Sequence, residues 1–264
     1  MVISSNMSSK NDSKTIVDET VNWIKNYSNS YNLKLVVGIS GGVDSALVST
    51  LCCMTNVETH VVTLPIHQNE EQLIRAINHI NWLKASFKNV VSYEIDLTKV
   101  YDTFYDAFKS NFDDPLSNAN SKSRIRMVSL YQIAGSIKGL VVGTGNKIED
   151  FGVGFFTKYG DGGVDISPIA DLTKSQVRSM ASFLKINDEI INAQPTDGLW
   201  NDDRTDEDQL GATYEELEWS MDYVDNNKNE ILDKRQKEVI EIFLRFRKNN
   251  QHKMLPIPVF KSNS

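Results

Sequence analysis

With 264 residues, 40% of them hydrophobic and 24% charged, the chain has the composition of a globular protein, enough for one good core or a domain with an appendage. A formal net charge of −7 argues against a protein that coats nucleic acid, and no run of about 18 apolar residues is present to span a membrane. Polyanionic ligands, if bound, must be met locally by a few placed cations and a metal ion.

In chain order, Met1 to Lys14 is rich in Ser and Asn, lacks the apolar core of a signal peptide, and reads as a disordered tail. Thr15 to Tyr31 carries Ile16, Val17, Val21, Ile24 and Tyr27 at helical spacing. Leu35 to Ile39 is an apolar strand; Ser40-Gly41-Gly42 is a tight turn; Val43 to Leu51 is a helix. Cys52 and Cys53 are neighbours on that helix and point about 100° apart, so they cannot staple distant segments. They read as small core residues with reduced thiols, which points to the cytoplasm. Glu58 to Ile66 is a second strand, ended by Pro65. Asn69 to Phe87 is a helix with Asn69 as N-cap and a stripe of Leu73, Ile77, Ile80 and Leu83.

Val90 to Leu97 is the third strand. Thr98 to Phe112 is a helix whose aromatic stripe (Tyr101, Phe104, Tyr105, Phe108) suits a core or a subunit interface. After a loop at Asp113 to Ser117, Ala119 to Ile137 forms a long helix bearing Lys122, Arg124 and Arg126, and Gly139 to Gly143 a short apolar strand. Gly152 to Gly163 is a glycine-heavy loop and Asp165 to Ile169 a short extended piece. Ser175 to Leu184 is a helix and Asp188 to Asn192 a helical turn. Thr196 to Gln209 is polar, with six carboxylates; Thr213 to Val224 and Glu230 to Lys248 are helices, and His252 to Ser264 is a tail.

Strands that alternate with helices, several of them apolar throughout, predict an α/β fold: a doubly wound parallel sheet covered on both faces in three Rossmann-like layers, one domain over 15–264. Ligands on such sheets sit beyond the carboxyl ends of the strands at the switch point, where the Ser40 turn and Gly143-Thr144 should meet. No G-x-G-x-x-G follows a strand, which argues against a Rossmann dehydrogenase.

The stretch Gly38-Ile39-Ser40-Gly41-Gly42-Val43-Asp44-Ser45 is an anion site in outline. The first N–H groups of a helix lack internal partners and carry the positive end of its dipole, and a glycine turn lets phosphate oxygens approach backbone. Asp44 could hold a divalent cation there. No Lys follows the glycines, so this is not a Walker A loop. It resembles the SGGxDS loop of the N-type ATP pyrophosphatases. Further on come Gly143-Thr144-Gly145-Asn146-Lys147-Ile148-Glu149-Asp150, the run from Phe155 through Thr157-Lys158-Tyr159-Gly160-Asp161 to Asp165, Leu172-Thr173-Lys174, Pro195-Thr196 and His252-Lys253. In that order they resemble the NAD synthetase family over about Thr15 to Pro258.

The resemblance implies an ammonia-dependent ligase that makes NAD from deamido-NAD, ATP and ammonia with Mg²⁺, through an adenylated carboxylate, releasing pyrophosphate and AMP. It implies that Gly38 to Ser45, Thr144, Lys174 and Thr196 contact ATP and that Asp44 and Glu149 ligate magnesium. Arg124, Lys158, Asp165, His252 and Lys253 would contact deamido-NAD, with Arg126 a second-choice phosphate contact. It implies a homodimer with the dinucleotide at the subunit interface, no nucleic-acid or membrane partner, and no side-chain nucleophile, since the substrate carboxylate attacks. Catalysis would rest on positioning and charge stabilisation. Met1-Val2 offers no N-terminal Cys nucleophile for a glutaminase, so ammonia is the expected nitrogen donor. The acidic stretch Asp197 to Asp208 is expected to close over the site when ATP binds. A tRNA-thiolating relative would need a reactive Cys or zinc-binding CxxC pairs, which are missing. A nucleotide-binding regulator or a ligase acting on nicotinate mononucleotide are the remaining alternatives.

Overall fold

The computed structural model describes residues 2–200, 202, 204–228 and 231–262, with side chains from residue 12 onward. Four parallel strands, β1 (Lys34–Gly38), β2 (Thr59–Thr63), β3 (Val90–Glu94) and β4 (Gly139–Val141), form a sheet in the order β3-β2-β1-β4. A single parallel bridge between Val142 and Ile166 extends the β4 edge; this is all that becomes of the extended piece expected at Asp165 to Ile169. The order reverses at β1, so the switch point lies between the carboxyl ends of β1 and β4, as the sequence predicts.

Side chains of alternate residues on a strand face opposite ways. Leu35, Val37 and Ile39 enter one core with α1 (Val2–Tyr31), α2 (Val43–Met54), α3 (Glu70–Ser86), α6 (Lys174–Phe183) and α7 (Asp188–Ile191). Val36 and Val62 enter a second core with α4 (Thr98–Phe108) and α5 (Pro115–Ile137). Leu35, Leu47 and Leu51 are fully buried, each contributing about 2 kcal/mol of transfer free energy. Cys52 and Cys53 lie in the first core. Burial pushes the Cys52 thiol well up and the Cys53 thiol up to about 12, so both are inert neutral side chains. A third cluster joins α8 (Asp206–Leu210), α9 (Tyr214–Asp225) and α10 (Lys234–Met254) to a π-helical turn at Ile148–Val153.

Several boundaries differ from the sequence reading. α1 starts at Val2, so helix runs through the stretch read as a disordered tail, Met1 lying outside the described residues. A nucleated helix continues through Ser and Asn at a small cost per residue. α5 starts at Pro115 instead of following a loop, because Asp114 accepts a hydrogen bond from the Ser117 N–H at 2.7 Å and proline suits the first helical position. Of the α3 stripe, Ile80 and Leu83 are buried with Ala76 and His79, whereas Leu73 and Ile77 are half-buried. Asn69 caps α3 as expected, accepting from the Glu71 N–H. α10 begins at Lys234 and ends at Met254, so His252 and Lys253 belong to its last turn and not to a tail; the expected start, Glu230, lies outside the described residues.

Candidate active site

β1 ends in the turn that the sequence singles out. Gly41 has φ +87°, and a Cβ there would stand 2.4 Å from the Gln72 carbonyl of α3, so both the conformation and the close approach demand glycine. Gly42 caps α2 with no side-chain hydrogen bond, leaving the first N–H groups of α2 open to a ligand. The two serines stiffen the turn. Ser45 Oγ accepts from the Ser40 N–H at 3.2 Å and donates to the Gly42 carbonyl at 3.0 Å, while Ser40 Oγ accepts from the Gly42 N–H at 3.2 Å.

Three charged side chains from distant segments meet beside this turn. Asp44 comes from α2, Glu149 from the π-helical turn after β4, and Lys174 from the start of α6. The Lys174 ammonium donates to Asp44 Oδ2 at 2.6 Å and to Glu149 Oε1 at 3.1 Å. Asn146 ties the carboxylates together: its Nδ2 donates to Asp44 Oδ1 at 3.3 Å and its Oδ1 accepts from the Glu149 N–H at 3.2 Å. The Tyr214 hydroxyl donates to Glu149 Oε1 at 2.5 Å, and its ring lies 4.6 Å from the ammonium. Lys174 is only 2% exposed. Burial opposes its charge, but the charges of Asp44 and Glu149 outweigh that and hold it well above the usual lysine range. Burial, with the Asp44 charge behind it, pushes Glu149 up despite Lys174. Two more acids flank the group: half-buried Asp150, pushed up to about 8, and buried Asp206, pushed up to about 7, both by desolvation first and by Glu149 second.

This cluster lies at one end of a cavity of about 790 Å³ between the strand ends and the C-terminal helices. The other end is basic. Arg124 Nε donates to the Lys158 carbonyl at 3.2 Å, Lys158 Nζ to the His252 carbonyl at 3.0 Å, and Lys253 Nζ to the Phe156 carbonyl at 2.7 Å. These bonds lock α5, the glycine-rich loop and the end of α10 together through neutral acceptors. Among the described residues no carboxylate pairs with these three cations. The loop's fold is fixed by Asp161, whose Oδ1 accepts from Ser123 Oγ at 2.7 Å and from the Thr157 N–H at 3.0 Å.

The family model described as NAD synthase matches residues 16–256. The chain belongs to the NAD synthase family. The NH(3)-dependent NAD(+) synthetase of Finegoldia magna is 36% identical over 231 residues, 84% of this chain and 90% of its own length. That of Carboxydothermus hydrogenoformans is 34% identical over 244 residues, 89% of this chain and 93% of its own. The solved structure of NMN synthetase from Francisella tularensis is similar with a TM-score of 0.83 at 30% identity, covering 96% of this chain and 99% of that one.

The NAD synthase motifs converge almost completely. Gly38 to Ser45, Thr144, Glu149, Lys174 and Thr196 line the cavity with Arg124, Lys158, His252 and Lys253. Asp165 does not. Its carboxylate accepts from the Val141 N–H at 2.8 Å and from the Tyr131 hydroxyl at 3.0 Å, completing the β4 edge where no neighbouring strand supplies these bonds. Arg126 points inward, one turn from Lys122. Burial pulls its guanidinium down to about 10, and it is held by the Leu64 carbonyl at 3.0 Å and Gln68 Oε1 at 2.9 Å. Lys122 donates to the Leu199 carbonyl at 2.9 Å. Of the acidic stretch 197–208, Asn201 and Asp203 lie outside the described residues, and Asp206 to Asp208 belong to α8. Sequence reasoning missed Asn146, Asp161, Asp206 and Tyr214 as site-building residues. Asn146 and Asp161 stand inside the motifs; Tyr214 and Asp206 carry no local signal, since each looks like part of a helix start.

Proposed function

We propose that the chain catalyses ATP-dependent amidation of the nicotinate carboxylate of deamido-NAD by ammonia, forming NAD, AMP and pyrophosphate. The observation that carries this reading is the meeting of Asp44 and Glu149 on one cationic nitrogen beside the open end of α2, inside the cavity that receives the basic cluster. The relatives named as NH(3)-dependent NAD(+) synthetases support the same activity.

In this reading the triphosphate lies along the Gly38–Ser45 turn, whose N–H groups and hydroxyls hold the pyrophosphate. Lys174 adds positive charge there, and Thr144 and Thr196 contact the nucleotide. A carboxylate oxygen of the substrate attacks the α-phosphorus, and the bond to pyrophosphate breaks. Ammonia nitrogen then attacks the acyl carbon, the bond to AMP breaks, and the surplus proton passes to solvent. Arg124, Lys158, His252 and Lys253 orient the anionic dinucleotide, so that no side chain needs to be a nucleophile. Asp165 serves by shaping the β4 edge.

Asp44 and Glu149 would hold Mg²⁺. Both offer hard oxygen donors, both already surround a cation, and magnesium is commonly bound by one or two carboxylates plus substrate phosphates. When bound, the ion would neutralise charge on the phosphates. The outward aromatics of α4, Phe104 and Phe108, with exposed Phe112, Leu116 and Val128, support a homodimer face. Buried, unpaired Cys52 and Cys53 support a cytoplasmic location. No helix among the described residues is long and apolar enough to cross a membrane.

The likeness to NMN synthetase favours one second reading, with nicotinate mononucleotide as the acid. Pyrophosphate release from ATP plus each acid, before ammonium is added, tests both. Release with deamido-NAD supports the first reading, release with the mononucleotide alone the second, and release with neither overturns both.

A further inference from the structure

Tyr214 stands outside every motif read from the sequence and Asp206 is one of six carboxylates in the acidic stretch, yet they complete the cation cluster. Tyr214 opens α9 and its side chain is wholly buried; Asp206 opens α8 and is 6% exposed. The Tyr214 hydroxyl donates to the Glu149 oxygen that also accepts from Lys174, and lies 3.2 Å from Asp206 Oδ2. A phenol has one proton. The shorter contact, 2.5 Å, gives that proton to Glu149, and Asp206 Oδ2 at 3.2 Å then completes the phenolic oxygen when its own carboxyl carries a proton. The other Asp206 oxygen is buried without a partner, an arrangement far cheaper for a neutral carboxyl than for a carboxylate. The Asp206 N–H also donates to the Pro195 carbonyl at 2.9 Å, closing the base of the 196–205 segment.

We propose that Tyr214 and Asp206 are positioning residues: through a donated hydrogen-bond relay, Asp206 to Tyr214 to Glu149, they hold Glu149 where it serves a divalent cation. The proposal rests on the reading of Asp44 and Glu149 as the magnesium ligands. Once Lys174 turns to phosphate, Tyr214 is the fixed hydrogen-bond donor that keeps Glu149 aimed at its ligand. The relay also anchors the 196–205 segment to the same carboxylate.

The test is direct Mn²⁺ binding, read by electron paramagnetic resonance with a non-hydrolysable ATP analogue, on wild type, Tyr214→Phe, Asp206→Ala and Asp206→Asn. The half-saturating Mg²⁺ concentration for pyrophosphate release and the KM for the acid are measured beside it. Removing a partner that orients a metal ligand commonly costs 10–100-fold in affinity. Tyr214→Phe and Asp206→Ala are expected to weaken Mn²⁺ about tenfold and raise the Mg²⁺ requirement by the same factor, with the KM for the acid unchanged. Asp206→Asn, whose amide can still donate to the phenol, is expected to stay close to wild type. Lower melting temperature with wild-type Mn²⁺ affinity would show a merely structural role and overturn the proposal. An Asp206→Asn variant as impaired as Asp206→Ala would overturn the relay. If Tyr214→Phe does not fold, Asp206→Ala decides. Wild type that binds no Mn²⁺ with the analogue and needs no Mg²⁺ would instead overturn the underlying ligand reading.

Discussion

The two ends of the cavity handle charge in opposite ways. At the Ser40–Ser45 end, Lys174 is buried and shared between two carboxylates. At the far end, Arg124, Lys158 and Lys253 donate to backbone carbonyls, and Lys253 feels the Asp161 carboxylate without a direct ion pair. A buried charge without a partner is costly, so the closed end must stay neutralised until a ligand replaces the internal pairing. Half-open cations keep much of their hydration and can wait for an anion. The near end is thus built for exchange of partners, and the far end for capture.

The sharpest way to break this contrast is Asp44→Asn. It removes one of the two carboxylates, and pyrophosphate release should fall by about 10³-fold, as for loss of a well-placed charge-stabilising group, while the circular dichroism spectrum stays native. Next, Lys174→Met leaves Asp44 and Glu149 facing each other. Removing one member of a buried charged group costs about 3–5 kcal/mol. Urea unfolding should show that loss, and added magnesium should restore more stability to the variant than to wild type. Equal restoration in both would refute the exchange idea.

The third prediction separates the core from the site. His79 is buried against Ser49 Oγ at 2.9 Å, and burial pushes its pKa from 6.5 down to about 4. The unfolded chain therefore binds more protons between these values. This contribution is complete above pH 6.5 and is lost as the pH falls toward 4, by up to about 3 kcal/mol. His79→Gln should flatten that part of the profile of urea midpoint against pH without moving the magnesium response.

At the capture end, Lys158→Ala should raise the KM for the dinucleotide about tenfold, equal to about 1.4 kcal/mol, and leave the KM for ATP nearly unchanged. An equal rise in both would merge the two ends into one. Smallest of all, nucleotide should slow proteolytic cleavage within 197–205 by a few fold, if the segment closes on the occupied near end. Equal cleavage with and without nucleotide rejects a lid.

Much of this was legible in the chain. The β-branched run into Ser40-Gly41-Gly42 fixes a strand, a turn and a helix start by local preference, and Gly41 then proves to need both positive φ and the room beneath α3. The motif order also brings Glu149, Lys174, Lys158 and Lys253 to one cavity. Two readings failed. Pro115 looked like a loop marker until its place after a capping Asp114 became visible. His252 looked like tail because nothing local shows that α10 continues to Met254. Asp165 sits in the motif, and what only the fold shows is that its carboxylate accepts from the Val141 N–H at the β4 edge.

What the sequence determined by itself is the set of elements and the chemistry of each motif, because turn geometry, apolar periodicity and side-chain type act over a few residues. What only tertiary structure decided is who compensates whom: that Lys174 lies between Asp44 and Glu149, and that Tyr214 and Asp206 close around them. Charge compensation and desolvation depend on distances between atoms far apart in the chain, and no local pattern encodes those distances.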